Sequence, residues 1–350
     1  MFHVLHVGRS PWLFHVYEEL ERKMLISLID KKRDDWVEQM NAPFLNGKDF
    51  EHYVAHNTLQ LIKELKEYVK KKKCDILHVH NCWSHLIASA KTKKPFILLP
   101  QGKDIFSIWK RFWRRYIFKR YTKKASTIVT YLPSIHNFLR NVNFNEEIKF
   151  VPNAIDINRF RPKKKTLELE GDPVIFMPAR LARYKGHTHA FLAIQELYKE
   201  FPKLRFYCIN SGIDAQYLQH FANTHKIPIR FIAPIYHENI NEWYNAADIV
   251  YGYFGDYSMA ILNYIELEAM SCERPVITHF NFREYYKERV PIFNARVSKE
   301  IAFYTSLLIN DENLRKNIGR KSRRFIESEC NPRDIISRYL KFYEEAAEMA

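Results

Sequence analysis

Glycine is scarce here, nine among 350 residues, against a usual share of about 7%. Glycine-rich phosphate loops are therefore few, and any glycine beside a strand carries weight. Cysteine is scarcer still: five, at 74, 82, 208, 272 and 330, with no Cys-x-x-Cys pair. That excludes a disulfide framework and fits reduced thiols in a cytosolic enzyme. No apolar run approaches the roughly 18 residues that span a bilayer. The N-terminal run 1–7 lacks the basic start and cleavage site of a signal peptide, so the expectation is a cytoplasmic protein. Acidic residues fall short of basic ones, 40 against 55, for a net charge of +15. The excess implies an anionic partner: nucleic acid, anionic lipid or a phosphorylated substrate. A hydrophobic content of 47% with 15% aromatics excludes a disordered chain.

What is present is a repeated strand-and-helix rhythm. Short apolar runs at 2–7, 25–29, 76–79, 96–99, 127–130 and 148–151 read as strands, with helical spacing over 12–22 and 54–72. The rhythm restarts at Val174, with strand-like runs at 174–177, 204–209, 229–232, 249–253 and 275–278, and closes on a helix over 335–343. Strands alternating with helices imply parallel sheets with crossover helices, an α/β protein of two domains. The polar stretch at 151–165 reads as a linker. The expected division is 1–155, 156–330 and a closing helix in 331–350.

The stretch 174–191 organises the second half. A strand-length run ends at Pro178, a helix begins near His187, and Arg180, Arg183, Lys185 and Gly186 lie between. A strand tip followed by cations and a helix start is where an open α/β sheet holds phosphate.

Four segments then resemble, in order and spacing, the retaining glycosyltransferases of the glycogen-synthase and phosphatidylinositol-mannosyltransferase type, glycosyltransferase family 4. They are Val151-Pro-Asn-Ala-Ile-Asp156 with Phe160-x-Pro162, Ala179-Arg180 with Lys185-Gly186-His187, the run 243–249, and Glu268-Ala-Met-Ser-Cys272 with Pro275-Val-Ile277. The resemblance implies the GT-B fold: two facing Rossmann-like domains with parallel sheets, and a C-terminal helix crossing back to the first. It implies a hexosyl transfer from a nucleotide-diphosphate-sugar donor to a lipid-linked or other glycan acceptor, with retention at the anomeric carbon. No cofactor is implied, and independence from metal is expected.

Carried over residue by residue, Arg180 and Lys185 hold the donor diphosphate, and Glu268 accepts from the ribose hydroxyls. Backbone amides at Ile261, Leu262 and Asn263 face the diphosphate, and Ile232 leads into the loop for the base. In the first domain, Gly8 matches the family's glycine loop, and Gln101 stands near the sugar as a tentative catalytic position. The chain also departs from the pattern. It has Gly8-Arg9-Ser10-Pro11 where the family has several glycines, Gln101 in place of histidine, Ala260 in place of the first paired glutamate, and Glu273 in place of glycine. Asp256 is the nearest candidate to stand in for that glutamate, and Glu266 points elsewhere on the helix. These departures sustain a second reading, a non-catalytic partner that binds nucleotide-sugar.

The segment 109–124 combines Trp109, Phe112, Trp113, Tyr116 and Ile117 at helical spacing with Lys110, Arg111, Arg114, Arg115 and Lys119, and has no acidic residue. Two readings are open: a core helix with a solvated outer face, or docking on the inner face of the membrane. Basic charge with interfacial aromatics is what an anionic surface selects, and the expectation is the second. Nucleic acid ranks last among the anions, because no recognised motif is present. His78 and His80 share a strand face and invite a metal reading, but the site residues are assigned without a metal.

Overall fold

In the computed structural model the described residues are 3–8, 15–16, 19–20, 22–31, 52–55, 57–80, 83–100, 104–142, 144, 147–255 and 261–348. They form two units, 1–154 with 332–350 and 155–331. The expected helix over 12–22 falls largely outside the described residues, as do Gln101, Asp256 and Ala260.

The first unit is built on seven parallel strands in the order β3-β2-β1-β4-β5-β6-β7. They are β1 (His3–Val7), β2 (Leu25–Lys31), β3 (His52–Ala55), β4 (Ile76–His80), β5 (Phe96–Leu99), β6 (Thr127–Thr130) and β7 (Ile148–Phe150). The order reverses at the β1/β4 pair, where His6 stands opposite His78, and Gly8 follows directly at the carboxyl end of β1. That is the switch point where open sheets bind ligands. Helix α1 (Thr58–Lys71) starts after Asn57, whose side chain accepts from the Gln60 amide. The sequence pattern merged the start of this helix with β3, because Val54 and Ala55 suit either period.

The next helices are α2 (Ser84–Ser89), α3 (Asp104–Trp109), α4 (Phe112–Thr122) and α5 (Pro133–Asn141). The closing helix, Pro332–Glu348, belongs to this unit. It buries Ile335, Ile336, Tyr339 and Tyr343, and the Tyr343 hydroxyl is 2.7 Å from His78 Nδ1.

The second unit has six parallel strands in the order β10-β9-β8-β11-β12-β13. They are β8 (Val174–Met177), β9 (Arg205–Ile209), β10 (Ile229–Ile232), β11 (Ile249–Tyr251), β12 (Val276–Thr278) and β13 (Phe293–Asn294). Here the order reverses between β8 and β11. Helix α6 (His187–Glu200) buries Ala190, Phe191, Ile194 and Leu197 and exposes Glu196 and Lys199, the stripe its spacing predicts. Burying each large apolar side chain of this kind stabilises the unit by roughly 1.5–3 kcal/mol. Helices α7 (Ala215–Thr224), α8 (Ile240–Ala246), α9 (Tyr264–Ser271), α10 (Ser298–Asn310) and α11 (Glu312–Glu329) complete it.

Part of the expected linker is core. Phe160 is fully buried, and the Arg323 guanidinium donates to its carbonyl at 2.8 Å. Glu273 adopts φ +57°, the left-handed conformation that accounts for the family's glycine at that place.

Candidate active site

The basic loop after β8 is held on three sides. The Leu181 amide donates to Ser211 O at 2.7 Å, and the Phe254 amide to Lys185 O at 2.9 Å. Gly186 turns the chain with φ +79°, and a Cβ there would come within 2.5 Å of the Phe254 backbone. No larger residue fits without moving the loop. His187, the first residue of α6, is fully buried. Its Nδ1 lies 3.0 Å from Ala182 O and its Nε2 3.2 Å from Ala179 O. From the start of the helix it thus staples the two ends of the cationic loop. Burial holds its pKa down to about 4, against the pull of the two carbonyls.

Lys185 is only 6% exposed. Its Nζ donates to the Tyr253 hydroxyl at 3.2 Å and lies 4.6 Å from that ring's centroid, a cation held by an aromatic face. Arg180 is exposed, and its charge acts on the same tyrosine. Burial pushes the Tyr253 hydroxyl up and Glu266 adds to this, while Arg180 opposes. Arg183 is turned away into an ion pair with Asp214 at 3.2 Å. Of the three cations on this loop, Lys185 contacts Tyr253, Arg180 acts on that residue through its charge, and Arg183 is engaged by Asp214.

Tyr253 is fixed by Glu266. This carboxylate is fully buried, with Oε1 accepting from the Tyr253 amide at 3.1 Å and from Thr278 Oγ1 at 3.1 Å. Its Oε2 accepts from the Asn263 amide at 3.0 Å, closing a capping box on α9. The Asn263 amide is thus engaged within the helix cap. Ile261 and Leu262 are buried just ahead of it. Burial raises Glu266 to about 7, opposed by the amides that bond it.

Glu268 lies two residues on and is also buried. His237 Nε2 is 2.7 Å from its Oε1, and the Tyr244 hydroxyl donates to Oε2 at 3.0 Å. Burial, and then the Glu268 charge, push the Tyr244 hydroxyl well up, so it stays a donor. His237 stands beyond Ile232, on the loop assigned to the base.

Residues 29–159 match the family described as Glycosyltransferase Family 4, and residues 158–325 match Glycosyl transferases group 1. The chain belongs to the family 4 type of glycosyltransferases. No curated protein matches its sequence. Solved structures share the GT-B fold at low identity. Sucrose-phosphate synthase from Thermosynechococcus elongatus superposes with a TM-score of 0.77 at 12% identity, over 100% of both chains. Anabaena HepE in complex with UDP and glucose gives 0.76 at 14%, over 97% of this chain and 99% of that one. A glycosyltransferase from Rickettsia africae gives 0.71 at 15%, over 100% and 99%.

In the first unit of this glycosyltransferase, Gly8 has φ +94° and its hydrogen faces His80 O, 2.7 Å from where a Cβ would stand. His6, His78 and His80 lie together, each with one ring nitrogen within 4.8 Å of the others. His6 Nδ1 is 2.9 Å from His80 Nε2, and the His78 ring stacks on His80 at 4.4 Å. His78 Nδ1 in turn meets the Tyr343 hydroxyl, so the three rings are tied together and to the closing helix of the same unit.

The basic aromatic segment is two helices, not one, broken at Lys110–Arg111. Trp109 turns inward against Phe118 and Phe138, ring centroids 5.9 and 5.7 Å away, so it leaves the predicted surface set. Phe112, Trp113 and Tyr116 stay outside, 76%, 42% and 66% exposed. Arg114 lies over the Trp83 and Trp113 rings at 5.5 and 5.1 Å, Lys119 lies over Trp109, and Lys110, Arg111 and Arg115 are exposed. Among the described residues no helix is long and apolar enough to cross a membrane.

Proposed function

We propose that this glycosyltransferase moves a hexosyl group from a nucleotide-diphosphate-sugar to a lipid-linked or other glycan acceptor, with retention. The observation that carries the reading is the buried ammonium of Lys185, clamped on Tyr253 at a strand-to-helix turn, with Arg180 exposed on the same loop. As the bond from the anomeric carbon to the diphosphate breaks, negative charge grows on the departing phosphate. Fixed cations stabilise that charge. The acceptor hydroxyl bonds to the same face of the carbon, and its proton passes to the phosphate oxygen that leaves. No protein nucleophile is needed. Glu268, oriented by His237 and Tyr244, supplies the acceptor for the ribose hydroxyls. HepE has been solved with UDP and glucose and with UDP-glucose, which supports a donor of this class.

The test is a panel of nucleotide-sugars screened by thermal shift, followed by transfer and by donor hydrolysis without acceptor. A raised melting temperature with turnover is the expected result, and the product's anomeric configuration should match the donor's. Binding without hydrolysis or transfer to any acceptor favours the non-catalytic partner that Ala260 and Gln101 suggest. Activity is expected to persist in excess EDTA, because Arg180 and Lys185 occupy the place a metal would take beside the diphosphate. Loss of turnover on chelation, restored by magnesium or manganese, overturns that expectation.

The exposed rings of Phe112, Trp113 and Tyr116 among unopposed cations favour an acceptor presented at an anionic membrane surface. Near-surface cations contribute about 1 kcal/mol each to such binding. Reversing Arg111, Arg115 and Lys119 to glutamate is expected to abolish sedimentation with anionic vesicles while leaving donor binding intact. Equal sedimentation of the unaltered protein with neutral and anionic vesicles, or none at all, points to a soluble acceptor.

A further inference from the structure

The second unit carries a groove of about 770 Å³ whose lining includes both residues of β13, the edge strand of its sheet. The floor is aromatic. Phe293 lies half-buried against Tyr304 of α10, ring centroids 5.2 Å apart. Phe325 of α11 lines the same groove.

The rim is cationic. Arg283, Arg289, Lys321 and Arg324 line it with one acid, Glu288; four positive charges less one negative leave +3. Among the described residues none of these four cations is in an ion pair. Arg323 shows the contrast: it pairs with Glu327 and donates to the Phe160 and Ser271 carbonyls. Cations gathered on the walls of an apolar groove focus their potential and draw an anion. Arginine matches phosphate oxygens two at a time, and an aromatic floor takes a flat ring by offset or edge contact. The volume lies in the range of about 300–1,000 Å³ usual for small-molecule sites.

We propose that this groove binds a phosphorylated ring compound, its ring against Phe293 and Tyr304 and its phosphates on Arg283, Arg289, Lys321 and Arg324. The site is separate from the donor site, since Arg180, Lys185 and Glu268 take no part in its lining.

The test titrates the full chain with pyranine, a flat trisulfonated pyrene dye whose sulfonates stand in for phosphates. Saturable binding is expected, unchanged by Lys185→Ala and weakened at least about tenfold by Arg289→Glu with Arg324→Glu. Tyr304→Ala, which keeps every charge, is expected to weaken it severalfold and serves if the double reversal does not fold. Phenyl phosphate should displace the dye at about a tenth of the inorganic phosphate concentration required. Absence of saturable binding, or binding that survives both variants, overturns the proposal. Loss of binding in Lys185→Ala does so too, by placing the dye in the donor site. Equal displacement by the two phosphates removes the ring from the assignment.

Discussion

Lys185→Ala is expected to lower kcat/KM for the donor by about a hundredfold or more, with the fold retained. A preorganised charge-stabilising group at a developing oxyanion is worth about 3–4 kcal/mol in the barrier. Lys185 has the features that make such a group count: near-complete burial, a fixed contact with Tyr253, and a loop pinned by Gly186 and His187. Arg180 is exposed, where water and salt screen its charge. Arg180→Ala is therefore expected to cost less, about tenfold. Tyr253→Phe keeps the ring under the ammonium and removes only the hydroxyl, so a loss of a few fold is expected. Donor hydrolysis with kcat and KM separated reads all three. Near-normal kcat/KM in Lys185→Ala would remove this loop from the reaction.

Mild acid is expected to open the first unit before the second. His6 and His78 are buried in the first sheet, and burial holds His6 down to about 3 and His78 well below its ordinary value. In the unfolded chain these imidazoles take up protons near pH 6.5. Between that pH and about 3 the unfolded chain binds more protons than the fold, so stability falls as pH falls. The slope is about 1.4 kcal/mol per pH unit for each group, roughly 2 kcal/mol by pH 5 for His6 alone.

In the second unit two buried groups act with opposite signs over this range. His187, held near 4, loses stability over the same range. Glu266, raised to about 7, works the other way. The folded form takes up the Glu266 proton first as pH falls from 7 towards 4.5, which returns roughly 2 kcal/mol by pH 5 and offsets His187. Hydrogen exchange followed by mass spectrometry at pH 7 and pH 5 separates the units. Faster opening at 76–130 than at 174–278 is expected, and His6→Phe should reduce the difference. Opening of the second unit first would show that other groups govern acid stability.

How much of this could be read from the sequence depended on the distance between the partners. Strands β5, β6, β8 and β10 have the bounds that their apolar runs predict, and β5 and β8 are framed on both sides by proline. Strand β13 is two residues long, too short to show a period. The break between α3 and α4 was hidden because aromatic residues keep helical spacing across it. In the candidate site, Arg180, Lys185 and Glu268 were singled out from local motifs, and the structure adds Tyr253 as the partner of Lys185. That partner is 68 residues from Lys185, and His237 is 31 from Glu268; nothing local marks either contact. The role of Glu266 did have a local signal in Asn263-Tyr-Ile-Glu266, the capping-box pattern. His6 could be joined to His78 and His80 only once the register of β1 on β4 was known.

The closing helix has a consequence for synthesis on the ribosome. The first unit's buried face includes Tyr339 and Tyr343, yet these residues are translated after the whole of the second unit. At about 5–20 residues per second, the interval between residue 154 and residue 332 is on the order of ten to forty seconds. Through that time the second unit can finish folding, while the first waits with the face around His78 uncovered. The unit made first is the one completed last, and any chain halted before residue 332 leaves that apolar surface open to chaperones and proteases.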